Sequence, residues 1–420
     1  MTELEKLFAT KQTENGDISY NTTGNNLLDI LFMTAYFEKH LNEVHVGESN
    51  KEKMFSMFIR DPRFGLGRRD LGRKLMHLSD VSPENVVKAG RFDDLLFDGR
   101  GKYIDFLVNE CKKGNELAKK WMPRLNSKNK NLAQIICKMY NLSEKQYRKL
   151  IKVNTTENKL SRKKTEEIEF EHVPSLAMIK YYNRFLNGED TKYRFSEYLE
   201  SVKKGEKKLN VSTTNVYDIY KNRGVIDADL FFDKLEKIKI SCVPILDTSG
   251  SMYNRFDAFG KANSIAHYLA KCSTYAPNQV ISFSSRPKLM TIKGETYSEQ
   301  IKSMYTGDCS NTDFGKVMEL LKQLENFPDY LVVLSDMEFD YGSHQSKTEL
   351  QKIWKENNCK TKLVWWNFND RNKTVPETDE FGNIYISGYS PMLLKYLQAG
   401  FNGERFLDEL LEQYKKQIGN

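Results

Sequence analysis

The sequence predicts two different folds joined in one chain. An irregular α-solenoid, or array of helical pairs, occupies residues 1–237, and a doubly wound α/β domain occupies 238–420. Three observations carry this. The apolar period is helical from about residue 26 to 237. At residue 238 it gives way to short apolar runs that alternate with helical stretches. The charge divides at the same place: 44 basic against 35 acidic residues before 241, and 20 against 22 after it.

In the first part, Leu132, Ile135, Ile136 and Met139 recur at i, i+3, i+4 and i+7, so they predict one apolar stripe of a short helix. The next helix opens at Ser143. Its hydroxyl can cap the Gln146 amide while Gln146 reaches back, and Leu142 can staple to Tyr147. Pro174 then stands where a first helical turn tolerates proline, ahead of Ala177, Met178, Tyr181, Tyr182 and Phe185. No sequence repeat is evident, so the helical array is expected to be irregular.

Residues 51–150 carry 23 basic and 12 acidic side chains, a local excess that suits a polyanion. Arg60, Arg63, Arg68, Arg69, Arg73 and Lys74 crowd one loop-to-helix segment, where Gly65 and Gly67 permit a tight backbone path. Guanidinium forks match phosphate oxygens in pairs. Lys119, Lys120 and Arg124 belong to a second basic stretch around Trp121, which reads as a core anchor in preference to a base-stacking platform. Arg63, Arg68, Arg69, Arg73, Lys74, Lys119, Lys120 and Arg124 are therefore the candidate contacts to the backbone of RNA or DNA. The same residues admit a structural reading, with Asp61 and Asp70 pairing the arginines inside the array and the lysines lying on solvated helix faces.

The second part begins with the apolar run Ile238–Leu246, which reads as a buried strand, followed by Asp247-Thr248-Ser249-Gly250-Ser251. Helical pattern continues through Phe259, Ala262, Ile265, Ala266 and Leu269. Further strands are expected at 279–283, 330–334 and 362–368, with helices at 313–325 and 345–357. In such parallel sheets ligands gather at the carboxyl ends of the strands. There the sequence places Asp247, Ser249, Ser251 and Asp336, with Thr312 in a polar loop that opens a helix. Two carboxylates and three hydroxyls form an all-oxygen donor set for a hard cation, Mg²⁺ above Mn²⁺ or Ca²⁺. So few negative charges leave such a dication electrophilic, with room for an incoming carboxylate.

Enzyme motifs are missing. Gly260-Lys261 and Gly315-Lys316 lack the rest of a P-loop, and no GxSxG, HExxH or paired-histidine motif occurs. The six cysteines form no CxxC pair and have core-like neighbours, which suits free thiols in a reducing compartment; a cytoplasmic location is expected. No run approaches the ~20 apolar residues of a membrane span, and the acidic start Met1-Thr2-Glu3-Leu4-Glu5 is unlike a signal peptide.

The DxSxS string, the Thr312 loop and the strand-end Ser335-Asp336 resemble the metal-ion-dependent adhesion site of von Willebrand factor A domains. That resemblance implies that Asp247, Ser249, Ser251, Thr312 and Asp336 hold the ion directly or through water. It also implies that the ion binds an acidic side chain of a protein partner and performs no chemistry. Cys309-Ser310-Asn311 stand where glycines are often seen. Asp247 after a first strand is also the placement of an aspartyl-phosphate nucleophile, but Ser249 and Ser251 fit the adhesion site better and no lysine partner can be placed. The helical part joined to this domain resembles the TROVE architecture of the Ro autoantigen, in which HEAT-like helices bind RNA. Closer still is the resemblance to a TROVE-related family of bacteria, plants and large viruses. It rests on Arg63–Asp70, Gly90–Leu95, Ala118–Pro123, Leu142–Leu150, Val173-Pro174-Ser175, Ser335–Asp340 and Ser387–Pro391. The implied function is non-enzymatic RNA binding in a ribonucleoprotein, with a metal-dependent protein partner. The alternative is a metal-dependent interaction scaffold that binds no RNA.

Overall fold

The structure, a computed structural model, describes residues 48–60, 69–305, 314–321, 327–336, 360–368, 377–378, 383–389 and 396–401 apart from a few single positions, the pairs 90–91 and 212–213 and the triplet 254–256, together with short segments near 11–19 and 412–416. Two compact units emerge. One comprises Thr34–Val173, Leu186–Ser196 and Leu407–Asn420, and the other Met1–Met33, Pro174–Phe185 and Glu197–Phe406.

The first unit is helical. Its helices include Glu48–Arg60, Arg69–Leu78, Pro83–Ala89, Gly101–Lys112, Glu116–Trp121, Lys130–Met139, Glu144–Leu150 and Thr156–Ser161. Local caps explain several starts. Asn115 accepts from the Leu117 and Ala118 amides, and Ser143 forms a full capping box with Gln146, as its spacing predicts. The helices Glu48–Arg60 and Arg69–Leu78 approach closely because Gly72 has no side chain. A Cβ there would lie 2.5 Å from Arg60 Cβ and 2.6 Å from its Cα.

One expectation is corrected. The helix Lys130–Met139 buries Ala133, Ile136 and Cys137, whereas Ile135 and Met139 are half exposed. The buried face is thus turned toward the small residues Ala133 and Cys137. Ala133 and Cys137 are four residues apart with Ile136 beside them, so the buried stripe is offset round the helix from the one the apolar period marks.

The second unit is built on a seven-stranded sheet. Its strands are β3 (Cys242–Asp247), β4 (Gln279–Phe283), β5 (Lys288–Thr291), β6 (Tyr330–Ser335), β7 (Lys362–Asn367), β8 (Glu377–Thr378) and β9 (Ile384–Ser387); β1 (Lys11–Gln12) and β2 (Ile18–Ser19) form a separate pair. The order is β5-β4-β3-β6-β7-β9-β8, with β4, β3, β6, β7 and β9 parallel and β5 and β8 antiparallel at the two edges. The mixed α/β architecture with a helical N-terminal part agrees with the sequence. The runs at 279–283, 330–334 and 362–368 fall on β4, β6 and β7; the edge strands β5 and β8 and the inner strand β9 add to them. Val243, Ile245, Phe283, Val333 and Trp365 form an apolar layer on one face. The predicted helix at 345–357 lies outside the described residues, and that at 313–325 is described as Phe314–Leu321.

The helix Ala258–Cys272 is buried on nearly every side, including Asn263, Ser264 and His267. It packs on β3 and also against the helix Val216–Asn222. Tyr217 Oη donates to Asp257 Oδ2 (2.8 Å), Tyr389 Oη accepts the Tyr217 amide (3.1 Å), and Asp229 Oδ1 accepts the Tyr297 amide (2.6 Å). The change of period at 238 therefore marks the approach to the first strand, while the compact unit reaches back to Glu197.

Candidate functional site

β3 delivers Asp247 and β6 delivers Ser335 and then Asp336 to the same end of the sheet, because the two strands are adjacent, parallel and in register, with Leu246 opposite Leu334. The chain leaves β3 to add β4 on one side, and β6 lies on the other, so the strand order reverses here. This is the switch point at which α/β sheets place ligands.

Asp247 is fully buried. Its Oδ1 accepts the Ser249 amide at 2.8 Å, an Asx-type turn that bends the chain directly after the strand. Its Oδ2 accepts Ser335 Oγ at 2.5 Å, which ties the ends of β3 and β6 together. The short 3-10 turn Gly250–Met252 then brings Ser249 Oγ and Ser251 Oγ to 3.0 Å. Asp336 is only 3 % exposed. Burial, and next the charge of Asp336, push the Asp247 carboxyl up to about 7, against the hydrogen bonds from Ser335 and Ser249. Two buried carboxylates that disfavour each other's charge, with hydroxyl oxygens beside them, are the donor chemistry of a hard dication. Among the described residues no group of three or more His, Cys, Asp or Glu is placed to hold a metal ion, so the set here is of oxygens from two acids and serines. Four of the five sequence-predicted ligands thus lie on the two neighbouring strand ends and the turn after β3. Thr312 lies outside the described residues.

Sequence reasoning missed the surroundings of this turn. Tyr253, 45 % exposed, stacks on Phe259 at 4.6 Å between ring centroids. Asp257 adopts a left-handed conformation and caps Ala258–Cys272 through the Gly260 amide (3.1 Å). A Cβ at Gly260 would lie 2.5 Å from that carboxylate, so the Asp-x-x-Gly spacing was the available signal.

The candidate RNA contacts have varied placements. Arg63 and Arg68 lie outside the described residues, and of Arg69 the helical backbone is described. Arg73 pairs with Asp93 (3.1 Å) and with Asp94, which also pairs with Arg60. The arginine partners in this network are therefore Asp93 and Asp94; Asp61 and the Asp70 side chain lie outside the described residues. Lys119 meets Glu116 at 2.9 Å, and Lys120 is 4.0 Å from Glu157. Arg124 donates to the carbonyls of Ile151 (2.8 Å) and Lys119 (3.3 Å). Lys74 is exposed, as are Lys112, Lys128 and Lys130. Trp121 is half buried. No helix among the described residues is long and apolar enough to cross a membrane.

Residues 241–417 match a domain of unknown function (DUF7788), and residues 113–222 match another (DUF2828). Across 505 aligned positions the chain is 24% identical to the uncharacterized protein L728 of Acanthamoeba polyphaga mimivirus, covering 96% of this chain and 87% of that one. Among solved structures it is similar to the Ro (RSR) protein of Deinococcus radiodurans, at 11% identity and a TM-score of 0.46, over 96% of this chain and 99% of that one.

Proposed function

We propose that the α/β unit holds a divalent cation, Mg²⁺ before Mn²⁺ or Ca²⁺, at Asp247, Ser249, Ser251, Thr312 and Asp336, in the manner of a von Willebrand factor A domain. The observation that carries this is the convergence of the two buried carboxylates with Ser249 and Ser251 at adjacent strand ends. Bound there, the cation would offer an electrophilic position to an acidic side chain of a protein partner. The chain's part is to orient the donors: the Ser249 amide and Ser335 hydroxyl fix Asp247, and the turn after Gly250 aligns the two serines. The reading is one of capture, without bond making or breaking, inside the cell.

The basic helical part, a HEAT-like array of the TROVE kind, binds RNA in this proposal. Support comes from the excess of 23 basic over 12 acidic residues in 51–150 and from the exposure of Lys74, Lys112, Lys128 and Lys130. A phosphate-driven interaction weakens steeply with salt, because each neutralised phosphate releases counterions. Filter binding of the full chain to a mixed RNA pool at rising salt tests it. Retention at low salt that Lys74→Glu, Lys119→Glu and Lys120→Glu together reduce is the expected result, and no low-salt retention defeats the RNA reading.

A second reading is the metal-dependent scaffold without RNA. The observation in its favour is that Arg73, Lys119, Lys120 and Arg124 all meet acceptors within the chain. The same filter assay separates the two.

A further inference from the structure

Beside the helix Ala258–Cys272, three buried polar atoms lack a hydrogen-bond partner among the described residues: Asn263 Oδ1, His267 Nδ1 and Tyr297 Oη. Their residues are 2 %, 0 % and 1 % exposed. Asn263 and His267 are four residues apart on the helix Ala258–Cys272, hence on one face. Tyr297 opens the helix Tyr297–Ser303, and its ring lies 4.9 Å from the His267 ring at 76°. Asn263 thus neighbours His267 along the helix, and His267 neighbours Tyr297 across it.

The local hydrogen bonds define what each atom needs. Gln300 Nε2 donates to the Gly294 carbonyl at 3.2 Å, so Gln300 Oε1 is the acceptor that faces His267 Nε2 at 2.9 Å. The proton of the imidazole is thus on Nε2, and Nδ1 presents a bare lone pair. Burial holds this histidine's pKa down to about 4, against the pull of the Gln300 bond, so it stays neutral. Asn263 Oδ1 is likewise an acceptor, whereas Tyr297 Oη can donate. The site wants two donors and one acceptor from something small and neutral. A buried water typically makes about three hydrogen bonds to such groups.

We propose that Asn263, His267 and Tyr297 hold one buried water molecule, which donates to Asn263 Oδ1 and His267 Nδ1 and accepts from Tyr297 Oη. All three residues are almost wholly shielded from solvent, so the group that satisfies them is enclosed with them on folding. The water would fasten Ala258–Cys272 to Tyr297–Ser303, and it is independent of the proposed cation.

A crystal structure of the full chain at a resolution that shows ordered solvent tests this. A density peak within hydrogen-bond distance of all three atoms is expected. An empty cavity, or Tyr297 Oη bonded directly to His267 Nδ1, overturns it. A second test is one of sign. Removing a hydroxyl that has no partner relieves a desolvation cost, whereas removing one that a water satisfies loses a bond. Tyr297→Phe should therefore lower the melting temperature, and a raised or unchanged one counts against the water. Histidine-selective ¹⁵N spectra of the unaltered protein supply a readout that needs no variant. They should show Nε2 protonated and Nδ1 shifted as a hydrogen-bonded acceptor, and a free-acceptor shift at Nδ1 defeats the proposal.

Discussion

Arg60 and Asp94 form an ion pair in which both side chains are out of water, at 1% and 0% exposure. Asp94 also receives Arg73, and its carbonyl oxygen lies 3.3 Å from His77 Nε2. The short 3-10 turn Phe92–Leu96 thus receives the arginines of two other helices, which makes it part of how the helical unit is assembled.

Asp94→Ala leaves two guanidinium groups without their shared carboxylate, one of them fully buried. Removal of one partner from a buried pair costs about 3–5 kcal/mol. Denaturant unfolding should show a loss in that range, with a smaller one for Asp93→Ala, whose carboxylate is 23% exposed. Equal stability of Asp94→Ala and the parent would contradict the network.

Gly72→Ala places a methyl group 2.5 Å from Arg60 Cβ and 2.7 Å from its backbone nitrogen, so the two helices must separate. Overpacking of this kind costs about 1–3 kcal/mol. Gly224→Ala is the control, since nothing lies within 4 Å of its added Cβ. Thermal melts should fall for the first variant and stay level for the second.

His267 has its pKa lowered to about 4 from 6.5. Between those values the unfolded chain binds the proton and the folded one does not, so this group favours unfolding as pH falls from 6.5 toward 4, by up to about 1.4 kcal/mol per pH unit. Its contribution is constant above that window. Comparing His267→Gln with the parent across pH 4–7 should show a flatter acid limb in the variant, and parallel curves would show that His267 is not the group responsible.

Saturating Mg²⁺ should raise the melting temperature of the parent, since a ligand at about 100 times its dissociation constant adds about 2.7 kcal/mol to the folded state. Asp247→Asn and Asp336→Asn should lose both that rise and the heat of Mg²⁺ titration. Retention of both in the two variants would place any cation elsewhere. A pull-down of protein partners that chelator leaves unchanged would count against capture through the ion.

Much of the candidate site was legible in the sequence because its donors are close in the chain. Asp247, Ser249 and Ser251 follow one strand within five residues, and Asp336 follows another. What could not be read was the hydroxyl of Ser335 reaching Asp247 across 88 positions, since that contact exists only once β3 and β6 are neighbours. The ion pairs of the basic cluster were hidden for the same reason. Charge density marks Arg73 as well as it marks Lys74, but only the fold shows Asp93 and Asp94 waiting for one of them.

By itself the sequence determined the helical character of the first part, the parallel strands of the second, and the oxygen chemistry at the strand ends. These follow from local period and turn residues, which act over a few positions of chain. Tertiary structure decided which face of Lys130–Met139 is buried, which arginines are taken up by carboxylates, and that the helices from 216 to 233 belong with the sheet. The physical reason is that burial and ion pairing depend on what lies across space, whereas propensity depends on what lies along the chain.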